Sequence, residues 1–163
     1  MREGDLVREG IVVRRGVLED AEVIAGFNCA IARETEEIML SAEVVRRGVE
    51  AALRDRSKGR YYLAEVQNEV VGQVMVTYEW SDWRNAWFWW VQSVYVCPEY
   101  RRGGVFRRLF EHVRHSAGEN PEVCGLRLYA HRDNEDAKTA YSVMGMHLTE
   151  YDALYELALP SQR

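Results

Sequence analysis

Cysteine, proline and long hydrophobic runs are scarce in this 163-residue chain. The three cysteines, Cys29, Cys97 and Cys124, lie far apart and form no CxxC pair, which argues against a disulfide framework or a structural zinc site. No apolar stretch approaches the ~18 residues that span a bilayer, and the charged first five residues are not typical of a signal peptide. We therefore expect a cytoplasmic protein with reduced thiols, no metal site and no membrane partner.

The chain also lacks an excess of positive charge. It has 21 Lys and Arg residues against 26 Asp and Glu residues, which gives a net charge of −5. Nucleic-acid binding depends on neutralising phosphates with cationic side chains, so this balance predicts no nucleic-acid partner. The positive charge that is present is locally concentrated, since Arg101, Arg102, Arg107 and Arg108 fall within one short segment.

What is present is the composition of a globular protein, with 47% hydrophobic and 29% charged residues. These values exclude a disordered tail, a collagen-like repeat and a coiled-coil rod. No internal repeat or linker divides the chain. We therefore predict a single domain over residues 1–163, in which residues 1–10 form a loose N-terminal arm.

Hydrophobic periodicity predicts the element order β-α-α-β-β-β-α-β-α-β-β. Strands are expected at 11–14, 61–66, 70–79, 87–97 and 124–130 and as two short segments between 147 and 159, and helices at 18–34, 41–54, 103–117 and 134–144. Helices that interrupt a mostly antiparallel run, with one parallel crossover between 87 and 130, indicate an α+β (mixed α/β) fold. We expect a central sheet of about seven strands flanked by about four helices.

The clearest functional signal is the segment from Ser93 to Leu109, in which a buried strand runs into a glycine-containing turn and then a helix. About four N–H groups at the start of a helix are unpaired, and the N-terminus carries roughly half a positive charge. Gly103 and Gly104 let a ligand approach this backbone closely. The pattern is typical of a phosphate or pyrophosphate site. The alternative is an ordinary strand-to-helix turn with a solvated basic face.

Within that segment, the motif Arg101-x-x-Gly104-x-Phe106 resembles a known pyrophosphate-binding signature. The signature, Gln/Arg-x-x-Gly-x-Gly/Ala, is that of the GNAT superfamily of N-acetyltransferases, which use acetyl-coenzyme A (acetyl-CoA). Phe106 stands where the family has a small residue. The resemblance therefore implies that this ring points away from the pyrophosphate, or that the loop is slightly opened.

A second motif, Asn134-x-x-Ala137-x-x-x-Tyr141, resembles the penultimate helix of the same family. These three residues lie on one stripe of a helix. In similar enzymes the Asn contacts the pantetheine chain and the Tyr protonates the leaving coenzyme A thiolate. With both motifs in the expected order, the resemblance covers roughly residues 11–157.

The resemblance implies a GNAT-like fold in which a splayed pair of parallel strands holds acetyl-CoA. It also implies that backbone groups of the strand before the turn bind the pantetheine and the acetyl carbonyl. The cofactor-binding residues that it implies are Val94, Tyr95, Val96, Arg101, Arg102, Gly103, Gly104, Val105, Phe106, Asn134 and Ala137.

The sequence indicates the general base less clearly than it indicates the cofactor-binding residues. Many relatives place a Glu on the strand before the pyrophosphate turn, but Trp90 and Gln92 stand at the corresponding positions here, and neither is a base. Glu79 and Asp82 are the nearest acids, and the alternative for each is a solvated surface carboxylate. A water chain that carries the proton to bulk solvent is a further alternative. We predict Glu79 as the catalytic base.

Acidic and aromatic residues indicate where an amine acceptor would bind. All five tryptophans fall within residues 78–90, where aromatic faces such as Trp83, together with Asp82, would attract a cationic amine. The alternative is sheet core plus a dimer contact. Glu34 and Glu36 lie in the break between the first two helices, which covers the acceptor site in similar folds. The alternative for these acids is a solvated helix end.

The motifs together predict an N-acetyltransferase. It would move the acetyl group of acetyl-CoA to a primary amine, on a small molecule or a peptide, by direct transfer in a ternary complex with Tyr141 as general acid. The alternative is a non-catalytic acyl-CoA binding or sensing module. Exposed strands near the carboxyl end and the tryptophan-rich hairpin also predict a homodimer.

Overall fold

The structure is a computed structural model of the chain and describes residues 10–131 and 133–149. These residues fall into two compact units, one up to His131 and one after it. The predicted N-terminal arm lies outside the described residues, except for Gly10. The two predicted C-terminal strands also lie mostly outside them, and residues 147–149, which are described, are not in a strand.

Five strands form one sheet in the first unit, and their order in the sheet follows the chain. The strands are β1 (Val12–Arg15), β2 (Arg60–Val66), β3 (Glu69–Ser81), β4 (Ala86–Val96) and β5 (Val123–Arg127). β1 to β4 pair antiparallel, and β5 pairs parallel with β4. The mixed sheet and its parallel crossover are therefore confirmed.

A two-residue turn joins β2 to β3. Its residues, Gln67 and Asn68, have φ angles of 52° and 67°, both in the left-handed region. Such a turn matches the right-handed twist of the flanking strands, and Asn tolerates the left-handed region better than most residues. The turn lies between the strands predicted at 61–66 and 70–79, and it fixes the register of a long hairpin.

Helices cover both faces of this sheet. They are α1 (Ala21–Glu36), α2 (Ala42–Arg54) and α3 (Val105–Gly118). α1 and α2 pack on one face through fully or nearly fully buried residues such as Ile24 and Val49. On the other face Leu109 and Val113 of α3 are completely buried against the sheet. Burying each such side chain contributes about 1.5–3 kcal/mol relative to leaving it exposed, so these contacts fix the sheet between two helical layers.

The second unit contains a fourth helix, α4 (Glu135–Val143). The side-chain oxygen of Asn134 accepts a hydrogen bond from the Ala137 N–H at 3.0 Å, which is a typical N-cap. Gly145 follows the helix with a φ of 88°, the left-handed conformation that commonly ends helices. Both boundaries agree with the prediction. No helix in 10–131 or 133–149 combines the length and the apolar character that a transmembrane span needs.

Candidate active site

β4 and β5 separate before β4 ends. β5 pairs with β4 only from Trp87 to Trp90, where Trp90 faces Arg127. Within the first unit as described, residues 91–96 have no strand partner on that side. Backbone N–H and C=O groups at such an edge need hydrogen-bond partners. The edge can therefore bind an extended ligand through the backbone hydrogen bonds that would otherwise pair it with a neighbouring strand.

A β-bulge lies in the middle of this edge. Met75 faces Gln92 and Gln73 faces Tyr95, so three steps along β4 match two steps along β3. Ser93, within the bulge, has a φ of 49°, in the left-handed region that a β-carbon disfavours. A bulge bends its strand and redirects the backbone groups after it. The conformation of Ser93 therefore sets the direction of the residues that follow.

The turn after β4 ends at an uncapped helix. Arg102 has a φ of 64° and Gly104, the N-cap residue of α3, has a φ of 92°. No side chain among the described residues caps this helix. Its first N–H groups therefore carry the positive end of the helix dipole without a side-chain partner. A strand edge of this kind that leads to such a helix end suits a long ligand with an anionic segment, such as acetyl-CoA.

Arg101 is held by two parts of the chain. Its Nη2 lies 2.6 Å from Oε2 of Glu34, and its Nε donates to the Val96 carbonyl at 2.9 Å. The prediction that Glu34 and Glu36 lie in the break between the first two helices is wrong, because both belong to the last turn of α1. The Tyr95 hydroxyl donates to the other oxygen of Glu34 at 3.1 Å. The hydrogen bond from Arg101 holds the pKa of the Glu34 carboxyl below its ordinary value. The acid predicted to attract the acceptor is thus paired with the arginine predicted to bind pyrophosphate.

The other residues of the turn differ in their surroundings. Arg102 is exposed, while Arg107 forms an ion pair with Glu111, one turn along α3, at 2.8 Å. The Phe106 ring packs against buried Phe110, with 6.0 Å between ring centroids. The large side chain that replaces the small residue of the signature therefore lies against the next turn of its own helix.

A cavity of about 380 Å³ lies between α1, α2 and the bulge. Its apolar walls are formed by Ile31, Ala32, Ile38, Leu40, Val45 and Val49. Asn28, Tyr61 and Ser93 contribute polar groups to it. Of the described residues that line it, Glu36 alone is charged. Glu36, one of the predicted acceptor residues, therefore gives a mainly apolar cavity one negative charge.

A chain of hydrogen bonds runs from this cavity into the sheet. Nε2 of Gln73 donates to Oδ1 of Asn28 at 2.7 Å and to the Ser93 carbonyl at 3.1 Å. Nδ2 of Asn28 in turn donates to the Tyr61 hydroxyl at 3.1 Å. Burial raises the pKa of Tyr61, and the hydrogen bonds with Asn28 and Ser93 offset part of that rise. The tyrosine is therefore neutral at physiological pH.

Sequence reasoning did not identify Asn28, Tyr61 or Gln73. Two signals were present: Asn28 is a polar residue on the otherwise apolar stripe of α1, and Gln73 is an amide inside a run of valines. A polar residue on a buried face needs a hydrogen-bond partner. Each signal indicates a buried polar contact, but neither names its partner.

Glu79, the predicted base, has both carboxylate oxygens engaged. Oε1 pairs with Nη1 of Arg127 at 2.7 Å, and Oε2 accepts a hydrogen bond from the Trp90 indole N–H. The Arg127 guanidinium also lies 3.6 Å from the centre of the Phe88 ring. These contacts of Glu79 and Arg127 join β3, β4 and β5 in the region where the three strands are paired. A catalytic role for Glu79 stays a prediction.

The tryptophans of the β3–β4 hairpin occupy different environments. Trp89 is buried in the core, whereas Trp83 in the turn is 87% exposed beside exposed Asp82. Trp80 and Trp87 are both partly exposed and pack edge to face, with 4.9 Å between centroids. Asp82 and Trp83 lie at the opposite end of β4 from the bulge, roughly 20 Å along the strand. Their role in acceptor binding stays a prediction.

Tyr141 lies on α4 in the second unit and is half-buried. Burial raises its pKa above the ordinary value of 10.0. The phenol is therefore protonated throughout the neutral pH range, which is the form a proton donor needs. Asn134, predicted to contact pantetheine, uses its side-chain oxygen to cap the same helix.

Potential metal ligands are dispersed. Over the described ranges, no three His, Cys, Asp or Glu side chains are grouped closely enough to hold a metal ion. His112 instead packs edge to face on Tyr62 at a centroid distance of 4.8 Å, and burial lowers its pKa.

Comparison with known proteins agrees with this geometry. The acetyltransferase (GNAT) family model matches residues 29–146. The crystal structure of a possible acetyltransferase from Clostridium difficile 630 is 41% identical, with a TM-score of 0.86, and the match covers 93% of this chain and 99% of that one.

Two more distant structures share the fold. A predicted acetyltransferase from Clostridium acetobutylicum, solved with acetyl-CoA, is 15% identical with a TM-score of 0.72, over 89% of this chain and 96% of that one. The aminoglycoside N-acetyltransferase AAC(6')-Iy, in complex with CoA, is 14% identical with a TM-score of 0.76, over 91% and 95%. No protein of curated function matches significantly. The family match and the 41% identical structure show that the chain belongs to the GNAT family of acetyltransferases, acyltransferase enzymes that use acetyl-CoA.

Proposed function

We propose that the protein transfers the acetyl group of acetyl-CoA directly to a primary amine in a ternary complex. The observation that carries this proposal is the edge of β4 at residues 91–96, which leads through a turn to the N-terminus of α3. Among the described residues, no strand pairs with this edge on the β5 side and no side chain caps this helix. When bound, acetyl-CoA supplies an acetyl group activated as a thioester. The edge offers backbone hydrogen bonds along the ligand, and the helix end offers N–H groups to its pyrophosphate.

Backbone groups of Val94, Tyr95 and Val96 would hold the pantetheine and the acetyl carbonyl. A backbone N–H directed at the carbonyl oxygen stabilises the negative charge that develops there during attack. The N–H groups of the turn and helix start, from Gly103 to Phe106, would hold the pyrophosphate together with Arg101 and Arg102. Asn134 and Ala137 are proposed to contact the pantetheine.

The chemistry of Cys97 supports direct transfer. This is the cysteine nearest to the turn, and a covalent route would need its thiolate as the nucleophile. Burial, followed by the nearby Glu99 and Glu69 carboxylates, raises the pKa of the thiol above its ordinary value. The thiol is therefore protonated at neutral pH and a poor nucleophile. In the proposed reaction the amine nitrogen forms the new bond to the acetyl carbon, the carbon–sulfur bond breaks, and Tyr141 protonates the departing sulfur. The proton that the nitrogen loses passes to Glu79 or along a water chain to bulk solvent, and Tyr141 regains its proton from solvent.

The cavity between α1 and α2 is proposed to receive the acceptor. Glu36 is its charged lining residue, and Asn28 and Tyr61 supply neutral hydrogen-bonding groups. A carboxylate attracts a protonated amine, and the apolar walls suit a hydrocarbon part of the same molecule. These features favour an amine with an apolar body over a highly charged polyamine.

An amine panel tests the proposed function. The wild-type protein is mixed with acetyl-CoA and single amines, both small molecules and peptides, and the release of free coenzyme A thiol is followed. We expect release that depends on one class of amine. Tight binding of acetyl-CoA, measured by calorimetry, without thiol release from any amine would instead favour a non-catalytic binding or sensing module.

Replacing Glu34 by Gln is expected to strengthen acetyl-CoA binding by about 1.4- to five-fold. Glu34 now pairs with Arg101, and an exposed pair of this kind is worth about 0.2–1 kcal/mol. The neutral Gln competes less for the Arg101 guanidinium, which can then bind the pyrophosphate, and the change removes a negative charge near the turn. Calorimetric titration with acetyl-CoA measures the effect. Arg101→Gln is the matched variant and should weaken binding, so weaker binding in both would contradict the proposed competition.

We also propose that Trp80 and Trp87 form the contact surface of a homodimer. The two rings are 45% and 36% exposed and lie side by side at one end of the hairpin. Exposed adjacent aromatics are typical of association surfaces. Light scattering at tens of micromolar should give a dimer mass, and Trp80→Arg should give a monomer. A monomer mass for the wild type would refute the proposal.

A further inference from the structure

Gln73 is a completely buried amide in the centre of the sheet. It lies on β3, and its Nε2 donates one hydrogen bond to Asn28 of α1 and one to the carbonyl of Ser93. Both protons of the amide nitrogen are therefore used. Oε1 is also buried and has no hydrogen-bond partner within the described residues.

The two hydrogen bonds differ in what they hold. Asn28 is a side chain on a helix that is already packed on the sheet. Ser93 is a backbone position in the bulge, with a φ of 49° that a residue with a β-carbon adopts only when its surroundings hold it there. The bond from Gln73 to the Ser93 carbonyl, 3.1 Å long, supplies such a constraint from the neighbouring strand.

The unpartnered Oε1 indicates that packing alone does not explain this side chain. A buried amide with one oxygen unsatisfied is less favourable for stability than an apolar side chain of the same shape. The neighbouring core positions of β3, Val71, Val74 and Val76, are all apolar and fully or almost fully buried. What the amide provides and an apolar side chain cannot is a pair of hydrogen bonds, one to Asn28 and one to the carbonyl of Ser93 in the bulge.

We propose that Gln73 is a positioning residue for the acetyl-CoA site, because its amide holds Ser93 in the left-handed conformation that directs the backbone of Val94 to Val96. The inference rests on the proposed function, since those backbone groups are the ones proposed to bind the pantetheine and the acetyl carbonyl. Gln73 itself is fully buried on the neighbouring strand β3 and acts only through Ser93.

Gln73→Met tests the inference, because Met has a similar length and volume but no amide. Folding is checked by thermal unfolding, and the affinity for acetyl-CoA is measured by calorimetry. We expect affinity to fall about ten-fold, the effect of losing about 1.4 kcal/mol. Gln73→Leu is the second variant, for use where the Met variant does not fold.

Thr77→Val is the matched control. Thr77 accepts a hydrogen bond from the Gln92 amide at 2.7 Å, which joins the same two strands in regular register next to the bulge. Removing this bond should leave acetyl-CoA affinity unchanged. An equal loss of affinity in Thr77→Val and Gln73→Met would overturn the inference, because it would show a general effect of weakening the strand pair.

Rescue by glycine separates positioning from packing. Glycine adopts the conformation of Ser93 without a steric penalty, so Ser93→Gly combined with Gln73→Met should regain much of the affinity that Gln73→Met loses. A core-packing role would give no such rescue. A folded Gln73→Met protein with wild-type affinity would overturn this inference and leave the proposed function standing. A double variant that binds as weakly as Gln73→Met would do the same. A wild-type protein that does not bind acetyl-CoA overturns the proposed function and this inference with it.

Discussion

Gly104→Asp is expected to weaken acetyl-CoA binding by about ten-fold or more, which corresponds to about 1.4 kcal/mol or more. Gly104 is the N-cap residue of α3, at the helix end proposed to hold the pyrophosphate. A carboxylate there would neutralise the positive end of the helix dipole and repel the phosphates directly. Calorimetric titration of the folded variant with acetyl-CoA measures the loss.

The φ of 92° at Gly104 makes the choice of control important, because any side chain at this position is strained. Gly104→Asn has nearly the same shape as the Asp variant and tolerates the left-handed region similarly, but it carries no charge. The difference between the two variants therefore isolates electrostatics from strain. Equal affinities for Asn and Asp would contradict an anion site at this helix end, and unchanged affinity in Gly104→Asp would remove the site assignment altogether.

The element order of the described residues and the glycine-containing turn before α3 could be predicted from the sequence, because both depend on local patterns. The change from helical to strand periodicity near Arg60 and the glycines before α3 mark boundaries that the structure places within a few residues of the prediction. The bulge at Ser93 was not accessible, because it is a property of register between two strands. No feature of β4 alone specifies that three of its steps match two of β3.

Pairs of side chains that are distant in sequence could not be predicted either. Glu34 and Arg101 lie 67 positions apart, and Glu79 and Arg127 lie 48 apart. Glu34, Glu79 and Arg101 were assigned roles from the sequence and Arg127 was not. Pairing depends on which elements meet in the fold, which no single residue specifies. The sequence therefore assigned proposed roles to single residues, but it did not show which of their charges are already paired with each other.

Tyr141→Phe is expected to lower the turnover number by about ten-fold or more while preserving the fold and most of the affinity for acetyl-CoA. A general acid typically contributes about 10²–10⁴-fold to the rate. Water would replace the lost proton donor in part, so the smallest loss that we expect is about ten-fold. Removing only the hydroxyl leaves the ring to pack. Because burial raises the pKa of Tyr141 above 10.0, the wild-type acid stays protonated and the rate should show no loss from its ionisation between about pH 7 and 9.

The matched control is Tyr78→Phe. Tyr78 also has a buried hydroxyl and a pKa raised by burial, but it packs against the core on the α3 side of the sheet and has no proposed catalytic role. Its turnover should equal that of the wild type, so a loss in both variants would indicate a general cost of removing a buried phenol. A Tyr141→Phe protein that turns over a verified amine at the wild-type rate would overturn the acid assignment. Catalysis would then depend on the backbone groups of β4 that hold the acetyl carbonyl, with water as the proton donor to the departing sulfur.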